Sequence, residues 1–131
     1  TFAVMSAHSI LGRLMANDVD DDHAFLQGIN RAFADPAGLL HNLFSARSLA
    51  LYNELAVDKI SSYLSGVIIG AEIGHAVSMR DSTQIYQVLA SPGIGGKYMI
   101  AMKHAGLRVS MGDPLAIVKG ERAVAAAAGL I

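Results

Sequence analysis

The sequence has no cysteine and no tryptophan, only three prolines, and charged residues make up just 16% of its 131 positions. Without cysteine there can be no disulfide framework and no thiolate metal site, and a reducing compartment, with cytoplasm as the default, is the expectation. Positive charge is also scarce in any organised form: ten Lys and Arg are scattered along the chain and the net charge is −1, so no basic face exists for a phosphate backbone. Nucleic acid is excluded as an expected partner. Long apolar runs are missing too, because the stretch from Gly66 to Ala71 is closed by Glu72 and His75, well short of the roughly 18 to 20 residues of a membrane span. No membrane partner is expected. The chain opens on Thr1 with no charged, apolar and small-residue leader, which makes a processed or excised fragment the expectation.

What is present is apolar: 53% of the residues are hydrophobic, enough to fill a sizeable core in one domain covering residues 1–131. Helical spacing of Phe2, Met5, Ile10, Leu11, Leu14 and Met15 predicts a first helix over residues 2–16. Asp20, Asp21 and Asp22 should cap a second, with Phe25, Leu26, Ile29 and Phe33 on its apolar side and Asp35-Pro36 as its stop. A third pattern runs over 39–55 through Leu40, Leu43, Phe44, Leu51 and Tyr52, and a fourth over 58–79 with Asp58 as N-cap. The period then shortens. QIYQVLA (84–90) and LRVSM (107–111) read as strands around a helix at 95–105 that Gly106 should end, and Asp113-Pro114 opens a last, alanine-rich helix. The fold class is therefore α/β, mostly helical, with one parallel βαβ unit. Two strands alone are marginal, so another chain or a segment upstream of Thr1 is expected to complete the sheet.

Gly66, Gly70 and Gly74 recur every fourth residue along the fourth helix, and each costs on the order of 1 kcal/mol relative to alanine. Stepping by about 40°, they form one smooth stripe, which admits either a closely packed backbone or a flat ligand. Close packing is the simpler reading, and the downstream βα turn is its expected neighbour.

That turn is SPGIGGKY (91–98), where free helix N-terminal amides favour an anion. It is neither a P-loop, since Tyr98 stands where Ser or Thr would bind magnesium, nor a GxGxxG fingerprint, which breaks at Tyr98. Nucleotide contact and an ordinary glycine-rich turn both fit its spacing. In LFSARS (43–48), Arg47 beside Ser45 could clamp a carboxylate or serve as a solvated surface group. His8, His23, His41, His75 and His104 show no zinc spacing, and the acidic run at 20–22 lacks the glycine and glutamate of a calcium loop, so no metal ligands are assigned.

Four blocks in order, FAVMSAHSILGRLM (2–15), LFSARSLALY (43–52), YLSGVIIGAEI (63–73) and VLASPGIGGKYMIAMKHAG (88–106), resemble the C-terminal half of 2-dehydro-3-deoxygalactonokinases. The resemblance implies the C-terminal, nucleotide-side lobe of a two-lobed kinase with an actin-like (ribonuclease H-like) ATPase fold. It implies transfer of the ATP γ-phosphate, with Mg²⁺, to the 6-hydroxyl of 2-dehydro-3-deoxy-D-galactonate in D-galactonate breakdown. It places adenosine on Ser91, Pro92 and Gly93, with Gly95 and Gly96 close by, and puts Ser45, Arg47, His8 and Ser9 in blocks that contact the sugar acid. The family's two phosphate motifs, with the magnesium-organising and catalytic-base aspartates, normally precede the block at Phe2 and do not occur here. Catalytic residues therefore stay unassigned, and the chain alone is expected to be inactive. The implied partners are ATP, a sugar acid and the missing N-terminal lobe, with a homodimer left open. Two rivals stand beside this reading: a non-catalytic helical module that binds a protein, and a kinase of the same fold for another sugar acid.

Overall fold

In a computed structural model, residues 19–78, 84–113 and 115–130 are described. They form two compact units, one up to Arg80 and one from Asp81. The expected helix at 2–16 lies outside the described residues.

The first unit holds three helices, α1 (Asp22–Ala34), α2 (Leu39–Leu51) and α3 (Ile60–Ser78), the last entered through a 3-10 turn at Val57–Lys59. Asp21 caps α1: its carboxylate accepts from the Ala24 N–H at 2.7 Å and pairs with Lys59 at 2.8 Å. The Lys59 hydrogen bond, helped by the Ala24 amide, holds the Asp21 carboxyl below its ordinary pKa. Buried Ser62 fixes the approach to this cap, because its hydroxyl donates to Val19 O at 3.2 Å and accepts from Asp21 N–H at 3.0 Å. Asp35 closes α1, as the Asp-Pro pair predicts.

Helix α3 packs along α1, and small residues set how closely. A Cβ on Gly28 would overlap the carbonyl oxygen of Tyr63, and one on Gly66 would overlap that of Phe25. Gly70 continues the approach, with a Cβ there only 3.0 Å from the Ile29 Cα and the Ala32 Cβ. The glycine stripe therefore meets α1, and the expectation of the downstream turn as its close neighbour is corrected. Around this seam Phe25, Ile29, Ile60, Tyr63, Leu64 and Val67 are fully buried.

Three sequence expectations change here. Helix α2 ends at Leu51 rather than 55, because Asn53 takes a left-handed backbone (φ 56°) and turns the chain so that Leu55 enters the core. Of its expected apolar face only Leu43 is buried; Leu40, Phe44, Leu51 and Tyr52 are exposed, while Ala46 and Asn42 face inward. Asp58 lies within the 3-10 turn and is not an N-cap.

The second unit is built on two parallel strands, β1 (Tyr86–Val88) and β2 (Val109–Met111), in the register Tyr86 to Val109 and Val88 to Met111. Between them runs α4 (Pro92–His104), which starts three residues earlier than the expected 95 because Pro92 supplies a helix-ready φ at N1. Gly106, at φ 73°, ends α4 as a C′ residue: its N–H donates to Lys103 O at 2.9 Å and that of Leu107 to Met102 O at 3.0 Å. Val88, Ala101, Met102 and Leu107 are the buried hydrophobic side chains described in this unit's small core. The final helix, α5 (Ala116–Ala127), begins after Asp113, whose carboxylate accepts from Leu115 N–H at 2.9 Å and pairs with Lys119. No helix of the described residues is long and apolar enough to cross a membrane.

Candidate functional site

In the first unit a cleft of about 510 Å³ opens beside α1 and α2. This falls in the size range of small-molecule sites. Gln27, Arg31, His41, Ser45 and Ser48 make its polar lining, and Phe44, Leu49 and the ring of Tyr63 make its apolar wall.

A chain of hydrogen bonds orients these groups. Arg31 Nε–H donates to Asn42 Oδ1 at 3.0 Å, and the Asn42 amide donates to Asp35 O at 2.8 Å. Asn42 is itself buried, so its two bonds fix the plane in which the Arg31 fork lies. Ser45 Oγ lies 2.5 Å from Asn42 O and 2.7 Å from the Tyr63 hydroxyl. A carbonyl only accepts, so Ser45 gives its single proton to Asn42 O and Tyr63 donates to Ser45. The lone pairs left on Ser45 Oγ and the Tyr63 oxygen are then acceptors.

Of the residues expected to touch a sugar acid, Ser45 lines this cleft. Arg47 is half-buried on α2 outside the lining, and His8 and Ser9 lie outside the described residues. Arg31, Asn42 and Tyr63 are the functional candidates that sequence reasoning missed. Arg31 and Asn42 stand eleven residues apart, and only the turn between α1 and α2 brings them together; no local spacing announces it.

The expected nucleotide residues sit at the β1–α4 junction of the second unit. Ser91 is the N-cap in extended conformation, with no hydrogen bond from its side chain to the helix, and its carbonyl accepts from Gly95 N–H at 2.8 Å. Pro92 opens the helix. Gly93 and Gly96 face open space, since a Cβ on either would meet nothing within 4 Å. Gly95 differs: it is buried, and a Cβ there would lie 2.9 Å from Met111 Cε, so its missing side chain lets α4 sit against β2. Among the described residues no group of three or more His, Cys, Asp or Glu could hold a metal ion.

Comparison with known proteins places this geometry in a family. Residues 1–130 match the family described as DGOK: 2-keto-3-deoxy-galactonokinase. A relative named probable 2-dehydro-3-deoxygalactonokinase DgoK1, from Rhizobium meliloti (strain 1021), is 29% identical over 130 residues, covering 97% of this chain and 42% of the relative. The 2-dehydro-3-deoxygalactonokinase of Escherichia coli (strain K12) is 29% identical over 106 residues, covering 79% of this chain and 35% of the relative. A crystal structure of a Sinorhizobium meliloti protein assigned as a 2-dehydro-3-deoxygalactonokinase superposes with a TM-score of 0.81 at 29% identity, over 96% of this chain and 43% of that one. The chain thus spans less than half the length of the relatives it matches. On a match that runs through both units, this chain belongs to the 2-keto-3-deoxy-galactonokinase family.

Proposed function

We propose that this chain is the C-terminal, nucleotide-side part of a sugar-acid kinase with an actin-like ATPase fold. The whole enzyme moves the γ-phosphate of ATP to the 6-hydroxyl of 2-dehydro-3-deoxy-D-galactonate. The observation that carries the reading is the open turn between parallel strands: α4 starts at Pro92, and Gly93 and Gly96 leave its first turn bare of side chains. Free N–H groups at such a turn suit an electron-rich ligand, and the missing Cβ atoms let a flat ring approach the backbone. The turn fits ATP on these grounds. Ser91, Pro92, Gly93 and Gly96 would hold the adenosine portion, while Gly95 keeps α4 seated on β2.

ATP supplies the phosphoryl group; the residues of this chain bind and orient. Phosphoryl transfer is mostly positioning and charge stabilisation, and the family's phosphate motifs do not occur in these 131 residues. The chain alone therefore does not catalyse. Mg²⁺ belongs to the proposed reaction, and no residue of this chain is assigned to it. A cytoplasmic enzyme fits the absence of cysteine.

The test is calorimetric titration of ATP into the chain extended by the coding sequence upstream of Thr1, together with a screen of sugar acids as acceptors. ATP binding with 2-dehydro-3-deoxygalactonate as the preferred acceptor supports the reading. No ATP affinity would replace the kinase with an interaction module, and a different preferred acid would change the substrate.

A further inference from the structure

Among the described residues, the cleft of the first unit is lined by one permanent cation, Arg31, and by no acid. Arg31 is half-buried, its Nε is committed to a neutral amide, and among the described residues no carboxylate lies within ion-pair distance of its guanidinium. The nearest acid in sequence, Asp35, turns its carboxylate over Gly38, where a Cβ would overlap it. None of the described residues lining the cleft is Asp or Glu. A half-buried guanidinium facing an apolar wall without a counter-charge is costly, and a planar carboxylate satisfies its fork with two parallel N–H bonds. On the other side of Asn42, half-buried Ser45 presents an acceptor to the cleft, because its own proton goes to Asn42 O and the buried Tyr63 hydroxyl donates to it. A ligand that meets both groups must carry a planar anion for Arg31 and a hydrogen-bond donor for Ser45.

We propose that this cleft binds a small hydroxylated carboxylate, with Arg31 as its carboxylate anchor, Asn42 as the residue that positions Arg31, and Ser45, oriented by Tyr63, accepting from a ligand hydroxyl. The natural ligand, a sugar acid, rests on the kinase reading above; the site itself does not. Inorganic phosphate can occupy the guanidinium but is too compact to bring sugar-like hydroxyls to Ser45 as well, and a neutral sugar lacks the anchor.

The test needs no ATP, so its failure is separable from failure of the kinase reading. Calorimetry on the 131-residue chain compares D-galactonate, 2-dehydro-3-deoxygalactonate, D-galactose and inorganic phosphate. The sugar acids should bind, galactose should not, and phosphate should bind at least about tenfold more weakly. Arg31→Gln should weaken the sugar acids about tenfold or more, with Arg31→Lys between, as loss of a charge-assisted pair predicts. If Arg31→Gln fails to fold, NMR of the wild-type Arg31 side chain decides: its Nε resonance should move with galactonate and stay with galactose. Absence of sugar-acid binding, equal binding of phosphate, an Arg31→Gln affinity within about twofold of wild type, or an unmoved Arg31 resonance would each overturn the assignment. If the sugar acids bind through Arg31 but the extended protein transfers no phosphate, the site stands and the kinase reading falls.

Discussion

Gly28 and Gly66 face each other's helices reciprocally: each lies against the carbonyl of the residue three positions before the other, Gly28 against Tyr63 and Gly66 against Phe25. The α1–α3 seam is therefore backbone on backbone, which only glycine permits at these two points. Gly28→Ala and Gly66→Ala should each destabilise the first unit by about 1–3 kcal/mol, since the helices must move apart to admit a methyl group. Gly74 is the control. A Cβ there would sit 3.7 Å from the Phe33 ring, an ordinary contact, so Gly74→Ala should be neutral or stabilising by up to about 1 kcal/mol. Chemical denaturation of the three variants checks the contrast.

The Asp21 cap gives the first unit a pH dependence with a definite sign. Its carboxyl is held below its ordinary pKa in the folded chain, by Lys59 first and the Ala24 amide second. The unfolded chain therefore binds this proton more readily than the folded one. Its stabilising contribution is complete above the ordinary carboxylate range and is lost as pH falls through that range towards the lowered folded value. Thermal melts of wild type and Asp21→Ala should differ at neutral pH, and the gap should close as the solution is acidified below that range.

Gly93→Val tests the nucleotide turn without disturbing its support. A Cβ at this position meets nothing within 4 Å, so the fold should tolerate it, while a branched side chain would stand where the adenosine approaches. In the chain extended upstream, ATP affinity should fall at least about tenfold, with the melting temperature nearly unchanged. An unchanged affinity would remove adenosine from this turn.

Gly106→Ala isolates a backbone effect. The position has φ 73° and open space around it, so any cost is conformational rather than steric crowding by neighbours. A loss of about 1–2 kcal/mol is expected in the second unit, and denaturation followed by amide exchange in α4 measures it.

How far the sequence reveals this molecule depends on whether a feature is local. The Asp21 cap, the Asp35-Pro36 stop and the Gly106 terminator are set by a few neighbouring residues, and each stands where the sequence puts it. The parallel β1–α4–β2 unit follows from a change of period and is equally legible. Helix α2 is not. Leucines and Phe44 surround it, so no single stripe marks an inner face, and burial goes instead to Leu43, Ala46 and Asn42. The glycine stripe reveals that something packs closely on α3, but its partner is chosen by Gly28, a lone glycine whose meaning depends on the tertiary fold. The candidate cleft is the least legible part. Ser45 is marked by the family-like block around it, whereas Arg31 reads like any helical surface arginine until Asn42 is folded onto it.

The most direct measurement of the central claim is a phosphoryl-transfer assay run in parallel on the 131-residue chain and on the chain extended by its upstream coding sequence. Each is supplied with ATP, Mg²⁺ and 2-dehydro-3-deoxygalactonate, and product is followed by ³¹P NMR. The account predicts a 6-phosphorylated product from the extended protein and none from the 131 residues alone. An extended protein that binds ATP at the Gly93 turn yet phosphorylates no sugar acid, or that shows no ATP-dependent product at all, would contradict it.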